Sequence, residues 1–300
     1  MLKVCFYKGV IVKLTCVLLI FWVASGNATE TDSPIRFGLT AVIVTENLRF
    51  LDQWGQYLEQ KMGRKVEFVL RKSYREVMDL LDSGDIEFAW ICGFPYIQEK
   101  SRESFQLLTV PIYRGKPRYH SYIIVPENSP YKKFSDLEDR IFAFSDPDSN
   151  SGFLYPVALM VENDQRPQTF FRKTFFTFNH AETVQAVSEQ FADGGAVDSY
   201  IWEYLAVTRP DITEKTRIIK KSPSFGFPPI VSRLGIDANT VTVMKSTLEK
   251  MNQDPAGKSL LAQLKLDGFG GFSDSLFNSI RALASKVQNI GSISSRLVTE

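Results

Sequence analysis

DPDSNSG, residues 146–152, is a polar turn around which the rest of this chain is arranged. It follows a short aromatic run, Ile141–Phe144, which is typical of a buried strand, and it precedes Phe153–Val161, which has the length and spacing of a helix. Such a turn gathers backbone N–H groups and the hydroxyls of Ser149 and Ser151 around one point, where an anion is stabilised. The same residue types cap ordinary turns, so an anion site and a simple capped turn both stay open from these residues alone.

The amino-terminal residues have the pattern of a secretory signal. Lysines precede an apolar run, Leu14–Ala24, and small residues follow it. The run is shorter than a comfortable membrane span. We therefore predict a signal peptide over residues 1–28, with cleavage after Ala28 or, as the competing position, after Gly26, and a periplasmic mature chain. An uncleaved amino-terminal membrane anchor is the alternative.

The composition is that of a soluble globular protein. The chain has 300 residues, of which 44% are apolar and 23% charged, enough for one large or two medium domains. The net charge is +1, and removal of a signal peptide with three lysines and no acid changes it to −2, so we expect no nucleic-acid partner. The same removal leaves Cys92 without a second cysteine, which predicts a buried thiol and no internal disulfide.

Strands and helices alternate along the first third of the chain. The predicted strands are Ile35–Leu39, Val66–Leu70 and Ile86–Ile91, and the predicted helices between them are Leu48–Met62 and Tyr74–Leu81. This order is typical of an α/β fold with parallel strands and right-handed crossovers. The strand at Ile86–Ile91 is apolar on both faces, so we expect it to be central in a parallel sheet.

Two extended segments are the natural crossings between two lobes: Tyr119–Val125 and Ser222–Val231. They predict a discontinuous first lobe and an inserted second lobe, with a ligand cleft at their interface. The expected boundaries are residues 34–118 together with 224–288 for the first lobe, 119–223 for the second, and 289–300 for a tail.

Residues 35–285 resemble the periplasmic phosphate-, phosphite- and phosphonate-binding proteins of ABC importers, a branch of the type II periplasmic binding proteins. The motifs that carry the resemblance are DPDSNSGFLYP at 146–156, HAET at 180–183, VDSY at 197–200 and the connector SPSFGFPPI at 222–230. The resemblance implies an α/β fold of two lobes, joined by a two-stranded hinge, with the ligand in the cleft between them.

The resemblance also implies the residues that hold the phosphoryl group. The serine-rich turn, here Ser149, Asn150 and Ser151, would grip the phosphoryl oxygens, with Asn150 where a threonine is common. Backbone N–H donors do not depend on the side chain, so anion binding is expected to survive that difference. His180 would donate to a phosphoryl oxygen from the start of a facing helix. A helix cap or a packed residue is the alternative for this histidine.

Further members of the implied site come from other segments. Tyr74 and Tyr119 match positions whose phenols reach the ligand across the cleft, although each would also pass as a core aromatic. Asp198 and Tyr200, from the VDSY motif, complete the predicted ligand-binding set. We expect no metal ligand and no cofactor in this site.

One departure from the family pattern bears on the ligand. Aminoalkylphosphonate binders place carboxylates beside the ligand ammonium, and this chain has Tyr200 and Pro228 at those positions. Each lost charge-assisted contact costs about 1.5–3 kcal/mol, which favours phosphate, phosphite or methylphosphonate. Asp198 or Glu203 can replace the missing acids. A cleft surrounded by the aromatic residues Tyr74, Tyr119, Tyr200 and Trp202 would also admit a larger apolar group.

These features predict a monomeric, non-enzymatic receptor that binds a phosphorus oxyanion, closes around it and presents it to an ABC permease in the membrane. The alternative is a sensory receptor that presents its closed form to a membrane kinase or chemotaxis protein. The chain has no HExxH, CxxC or Walker glycine loop, and no glycine two positions before Ser151 for a nucleophile elbow. We therefore predict no catalytic residue.

Overall fold

The computed structural model of the chain describes residues 33–40, 48–99 and 104–288. The predicted signal peptide, residues 1–28, and the predicted tail, residues 289–300, lie outside the described residues. Within the described ranges, no helix has both the length and the apolar character that crossing a membrane requires.

A six-stranded sheet, called the larger sheet here, combines the first third of the chain with its last third. Its strands in spatial order are β13 (Gly268–Gly270), β4 (Phe105–Ile112), β12 (Ile230–Arg233), β3 (Phe88–Trp90), β1 (Ile35–Thr40) and β2 (Val66–Arg71). β1 runs parallel to β2 and β3, whereas β12 runs antiparallel to β3 and β4. The interior position predicted for the third strand is confirmed. The expectation of a parallel sheet is wrong, because β12 returns through an extended connector instead of a helical crossover.

A five-stranded sheet, the smaller sheet, is formed by the middle of the chain. In spatial order its strands are β10 (Thr216–Lys221), β6 (Ser121–Pro126), β9 (Gly194–Asp198), β7 (Ile141–Phe144) and β8 (Lys173–Phe176). β7 is parallel to its neighbours β8 and β9, and β6 is antiparallel to β9 and β10. Because β7 and β9 are adjacent and parallel, their carboxyl ends, and the turns that follow them, meet at one edge of this sheet.

Two short strands connect the sheets. β5 (Arg118–Tyr119) and β11 (Phe225–Gly226) pair antiparallel and form a sheet of their own. The long strand predicted over Tyr119–Val125 is therefore divided into β5 and β6 at His120. The α/β class and the two-stranded connection agree with the sequence prediction. The exact lobe boundaries remain a prediction.

The helices fill the connections between these strands. Their bounds are α1 (Leu48–Met62), α2 (Tyr74–Ser83), α3 (Gly93–Glu99), α4 (Tyr155–Val161), α5 (Pro167–Phe170), α6 (His180–Ser188), α7 (Ser199–Thr208), α8 (Pro210–Thr213), α9 (Ala238–Glu249), α10 (Pro255–Leu264) and α11 (Asn278–Gln288). α2 shows how local sequence sets such bounds. Ser73 and Glu76 form a capping box at its start, and Gly84 ends it in the left-handed conformation, with φ of 82°.

Aromatic clusters form the core beside each sheet. Trp54 of α1 packs against Phe37 and Phe68 on the larger sheet, with ring centroids 5.8 and 5.0 Å away. In the smaller sheet Phe142 stacks on Phe171 at 4.5 Å. Burial of each such ring contributes about 1.5–3 kcal/mol to the free energy of folding. The packed rings therefore hold both sheets, and the edges of the sheets, in a fixed position.

Candidate ligand-binding site

The turn after β7 continues into a widened helix. Ser149 caps a five-residue π-helix, Asn150–Leu154, and α4 follows without a break. The Ser149 Oγ accepts the Gly152 N–H at 2.9 Å, so the capping interpretation holds for this serine. A Cβ on Gly152 would lie 2.5 Å from the Ser145 Cβ, which explains the glycine at this position. Single π-helical turns of this kind are frequent at functional sites.

The two residues after the cap carry unsatisfied polar atoms. The Asn150 Nδ2 donates to the Tyr119 hydroxyl at 2.9 Å, and the Asn150 N–H points at the Cys92 Sγ at 3.3 Å. The Asn150 Oδ1 and the Ser151 Oγ are buried and find no hydrogen bond of acceptable geometry among the described residues. Each such atom costs about 1–3 kcal/mol when it is left unpaired. A polar ligand beside Tyr119 and Ser151 would recover that cost.

His180 is the first residue of α6 and is fully buried. Its Nδ1 accepts the Asp198 N–H at 3.1 Å, so the proton of the neutral ring lies on Nε2. Burial lowers the pKa of His180 to about 3. At neutral pH this side chain is therefore an uncharged donor.

Asp198 is the last residue of β9 and the cap of α7. Its Oδ1 accepts the Tyr200 N–H at 2.7 Å. Burial raises the pKa of this carboxyl group to about 8, partly against the backbone hydrogen bonds that it accepts from α7. A second buried acid, Asp146, accepts the N–H groups of Asp148 at 2.7 Å and Tyr74 at 3.2 Å, and burial raises its pKa to about 7.

The predicted tyrosines occupy three different positions. Tyr74 begins α2 and Tyr119 lies on β5, and burial raises the pKa of both phenols well above the ordinary value, so both stay protonated. The Tyr200 hydroxyl donates to the Leu264 carbonyl at 2.6 Å. Tyr200 therefore offers a ligand the face or edge of its ring, since its hydroxyl is engaged with α10.

A small cavity lies between the two sheets at this point. Its volume is about 10 Å³, the space of one water molecule. It is lined by Thr40, Tyr74, Trp90, Ile91, Asp198, Tyr200, Ile201, Phe227 and Pro228. Tyr200 and Pro228, the positions at which this chain departs from the family pattern, thus share one cavity wall.

Glu203 and Trp202, which the sequence suggested as further ligand contacts, are not among the residues that line the cavity. Glu203 accepts hydrogen bonds from the hydroxyls of Tyr113 and Tyr122, both at 2.6 Å, and pairs with Arg114 at 2.9 Å. It is already satisfied by these partners and does not line the cavity. Trp202 packs against Tyr122, donates its indole N–H to a threonine of β10 and is not among the residues that line this cavity.

Sequence reasoning missed several residues of this region. Thr40, Trp90 and Phe227 line the cavity, and Cys92 contacts the Asn150 N–H. The sequence gives Trp90 and Phe227 the pattern of core aromatics, and Cys92 that of a buried small residue, because these residues are indeed buried. Only their position at the strand ends distinguishes them from ordinary core.

Contacts across the two sheets hold α2 against the turn after β7. Besides the Tyr74 N–H bond to Asp146, Arg75 forms an ion pair with Asp148 through Nε at 3.2 Å and Nη2 at 3.3 Å. Because α2 follows a strand of the larger sheet and the turn follows β7 of the smaller one, these bonds stabilise the arrangement in which the two sheets lie close together.

Residues 42–277 match the protein family described as "ABC transporter, phosphonate, periplasmic substrate-binding protein". The match spans most of the chain, so the chain belongs to this family. The family is a class of transporter binding components and not of enzymes, and the sensory alternative is not favoured. In the described ranges, no group of three or more histidine, cysteine or acidic residues is placed to hold a metal ion.

Individual relatives agree with this assignment. The phosphonates-binding periplasmic protein of Escherichia coli (strain K12) is 25% identical over 266 residues, which cover 86% of this chain and 78% of that protein. The binding protein component of an ABC phosphonate transporter from Pseudomonas aeruginosa has a TM-score of 0.79 at 22% identity, covering 86% of this chain and 87% of that one. PhnD1 from Prochlorococcus marinus (MIT 9301), in complex with methylphosphonate, has a TM-score of 0.76 at 16% identity, covering 85% and 98%. These likenesses confirm the type II periplasmic-binding-protein fold.

Proposed function

We propose that this protein captures a small phosphorus oxyanion, namely phosphate, phosphite or methylphosphonate, between its two sheets and delivers it to the membrane permease of an ABC importer. The observation that carries the proposal is the buried turn at Asn150 and Ser151, where the Asn150 Oδ1 and the Ser151 Oγ find no hydrogen bond of acceptable geometry among the described residues. The relative from P. marinus that was solved with methylphosphonate supports the choice of ligand class.

Neutral donors would hold the phosphoryl end. The Tyr119 phenol lies against Asn150 and Ser151, and we expect the Ser151 hydroxyl and the His180 Nε2–H to point at the same phosphoryl oxygens. Each hydrogen bond from such a donor to an ionised oxygen contributes about 1.5–3 kcal/mol. Since all of these donors are buried, water competes little with the ligand once the site is closed.

The substituent end would be apolar and small. Trp90, Phe227 and Pro228 form cavity walls without charge, and the Trp90 indole N–H is bonded to the Pro228 carbonyl at 3.0 Å. Glu203 is unavailable for a ligand ammonium because two tyrosines and an arginine already bind it. A hydrogen, a hydroxyl or a methyl group on phosphorus suits these walls better than an aminoethyl chain.

The cellular setting completes the proposal. We infer that the segment over residues 1–28 directs export to the periplasm and that the protein acts there as a monomer. Closing of the two sheets around the ligand, stabilised by the bonds between α2 and the turn after β7, would create the surface that the permease recognises.

Calorimetric titration of the exported protein tests the proposal. The ligand panel comprises phosphate, phosphite, methylphosphonate, 2-aminoethylphosphonate and sulfate. We expect tight binding of one of the first three and much weaker binding of 2-aminoethylphosphonate, because the pairing acids are missing. Tight binding of 2-aminoethylphosphonate would show that Asp198 replaces the missing acids. If none of the phosphorus compounds binds, this class of ligand is excluded.

A further inference from the structure

Asp198 is an acid on the wall of a cavity that we assign to an anion. The residue is 3% exposed, and it lines the cavity together with Tyr74 and Tyr200. It is fixed at two points, because its backbone N–H donates to His180 and its side-chain Oδ1 accepts the Tyr200 N–H. The carboxyl group therefore cannot turn away from the ligand without breaking the cap of α7.

Few charged groups face this carboxyl group. Its titratable neighbours are His180 on α6, Tyr74 on α2, Tyr119 on β5, Cys92 after β3, Glu203 one turn further along α7, and Tyr113 and Tyr200, whose phenol pKa values burial also raises. Glu203 is an acid that already pairs with Arg114. No lysine or arginine is among the described residues that line the cavity. An ionised Asp198 would thus face a bound oxyanion without a compensating cation, an arrangement that is strongly unfavourable in a buried site.

We propose that Asp198 is protonated in the ligand complex and that its Oδ2, the oxygen not bonded to the Tyr200 N–H, donates a hydrogen bond to the ligand. This inference rests on the proposed function and extends it to the charge state of the complex. The proton removes the repulsion between the acid and the anion and adds a donor to a site that otherwise uses hydroxyls, amides and one neutral imidazole. Because no cation is among the described lining residues, the ligand is favoured in its singly ionised form.

The proton on Asp198 can be measured because the neighbouring titratable groups keep their charge over the pH range of the experiment. Burial raises the pKa of Cys92 to about 12 and those of Tyr74 and Tyr119 well above the ordinary phenol value, and it lowers that of His180 to about 3. None of these groups changes charge between about pH 6 and pH 9. Asp146 titrates in the same range as Asp198, but it holds the Tyr74 N–H and so takes part in closing. The matched control is Asp237, which caps α9 through the Thr240 N–H and does not line the cavity.

The experiment measures proton uptake on methylphosphonate binding. Titrations at about pH 6 and about pH 9 are run in two buffers with different ionisation enthalpies, with the wild type, Asp198→Asn and the control Asp237→Asn. At about pH 9 we expect the wild type and Asp237→Asn to take up about one proton more than Asp198→Asn. Asn is a good helix cap, so the substitution keeps the bond to the Tyr200 N–H.

Equal proton uptake by the wild type and Asp198→Asn would overturn the inference. The wild type alone provides a second test, should the variant fail to fold or bind. Its uptake at about pH 9 must exceed, by about one proton, the amount needed to convert the ligand to its singly ionised form; an uptake that the ligand alone explains contradicts a protonated Asp198. If no phosphorus oxyanion binds at either pH, the proposed function fails instead.

Discussion

The Asn150 Nδ2 donates a hydrogen bond to the Tyr119 phenol at 2.9 Å, and both side chains are buried. Asn150 begins the π-helix after β7, whereas Tyr119 lies on β5 in the two-stranded connection between the sheets. The bond therefore joins the proposed phosphoryl turn directly to the segment about which the sheets would move.

Removal of the phenol should impair ligand binding. In Tyr119→Phe the ligand loses a donor and the buried Asn150 amide loses its partner. We expect about tenfold to hundredfold weaker methylphosphonate binding by calorimetry, corresponding to about 1.5–3 kcal/mol. The control is Tyr57→Phe, which removes a hydroxyl that is bonded to Asp254 and does not line the cavity. Equal affinity of Tyr119→Phe and the wild type would place the ligand away from this phenol.

The serines of the turn should differ in their effects. Ser149 caps the π-helix through its bond to the Gly152 N–H, whereas the Ser151 hydroxyl lies against the Tyr119 phenol and forms no hydrogen bond of acceptable geometry among the described residues. We expect Ser149→Ala to lower the free energy of unfolding by about 1 kcal/mol. Ser151→Ala should leave the stability nearly unchanged and weaken ligand binding by about tenfold or more. Denaturant unfolding and calorimetry on both variants separate these effects, and the reverse pattern would refute our assignment of the two hydroxyls.

His180 should act as a neutral donor. Burial lowers its pKa to about 3, so the imidazole carries no charge above about pH 5. We expect His180→Ala to weaken binding by a factor that stays constant from about pH 5 to pH 8, once the titration of the ligand is taken into account. His120→Ala is the control, because His120 bonds to the Ser222 carbonyl and does not line the cavity. An effect that grows towards low pH would show an imidazolium donor.

The ion pair across the sheets should slow ligand release. Arg75 and Asp148 join α2 to the turn after β7 without contacting the cavity. The arginine side chain is 42% exposed, so the pair contributes only about 0.2–1 kcal/mol. In Arg75→Gln we expect a dissociation rate about two- to fivefold higher by stopped-flow measurement, with the association rate little changed. The comparable surface pair of Arg209 and Asp211 lies within one segment, and Arg209→Gln should leave both rates unaltered.

Two buried acids should make the unliganded protein less stable at alkaline pH. The pKa values of Asp146 and Asp198 rise from an ordinary 3.8 to about 7 and about 8 on folding, so the folded state holds more protons than the unfolded state in that range. Stability from these groups is present at low pH and is lost as the pH rises through the raised values. His180 has the opposite sign, but only below about pH 6.5.

Thermal unfolding therefore has a defined pH dependence. From about pH 6.5 to pH 8.5 we expect the melting temperature of the unliganded protein to fall, and a variant with both Asp146→Asn and Asp198→Asn to show a flatter profile. A wild-type melting temperature that rises across this interval would contradict the burial of the two acids in the folded state.

Local patterns in the sequence were enough to predict much of the scaffold. The helix Leu48–Met62, the aromatic strand Ile141–Phe144 and the start of the helix at His180 agree with the structure. Their signals are hydrophobic spacing and capping residues, which act over a few positions. The motif around Ser149–Ser151 likewise indicated the family and the class of receptor.

Tertiary structure alone decided the roles within the site. Asn150 meets Tyr119 across 31 residues of sequence, and the Trp90 indole meets the Pro228 carbonyl across 138. Such contacts, like the antiparallel insertion of β12, depend on which distant segments the sheets bring together, and no local pattern encodes them. The same holds for charge, because Asp198 and His180 are ordinary ionisable residues in the sequence. Their burial in the fold raises the pKa of Asp198 and lowers that of His180. Asp198 thereby becomes a candidate for carrying a proton, and His180 becomes a neutral donor.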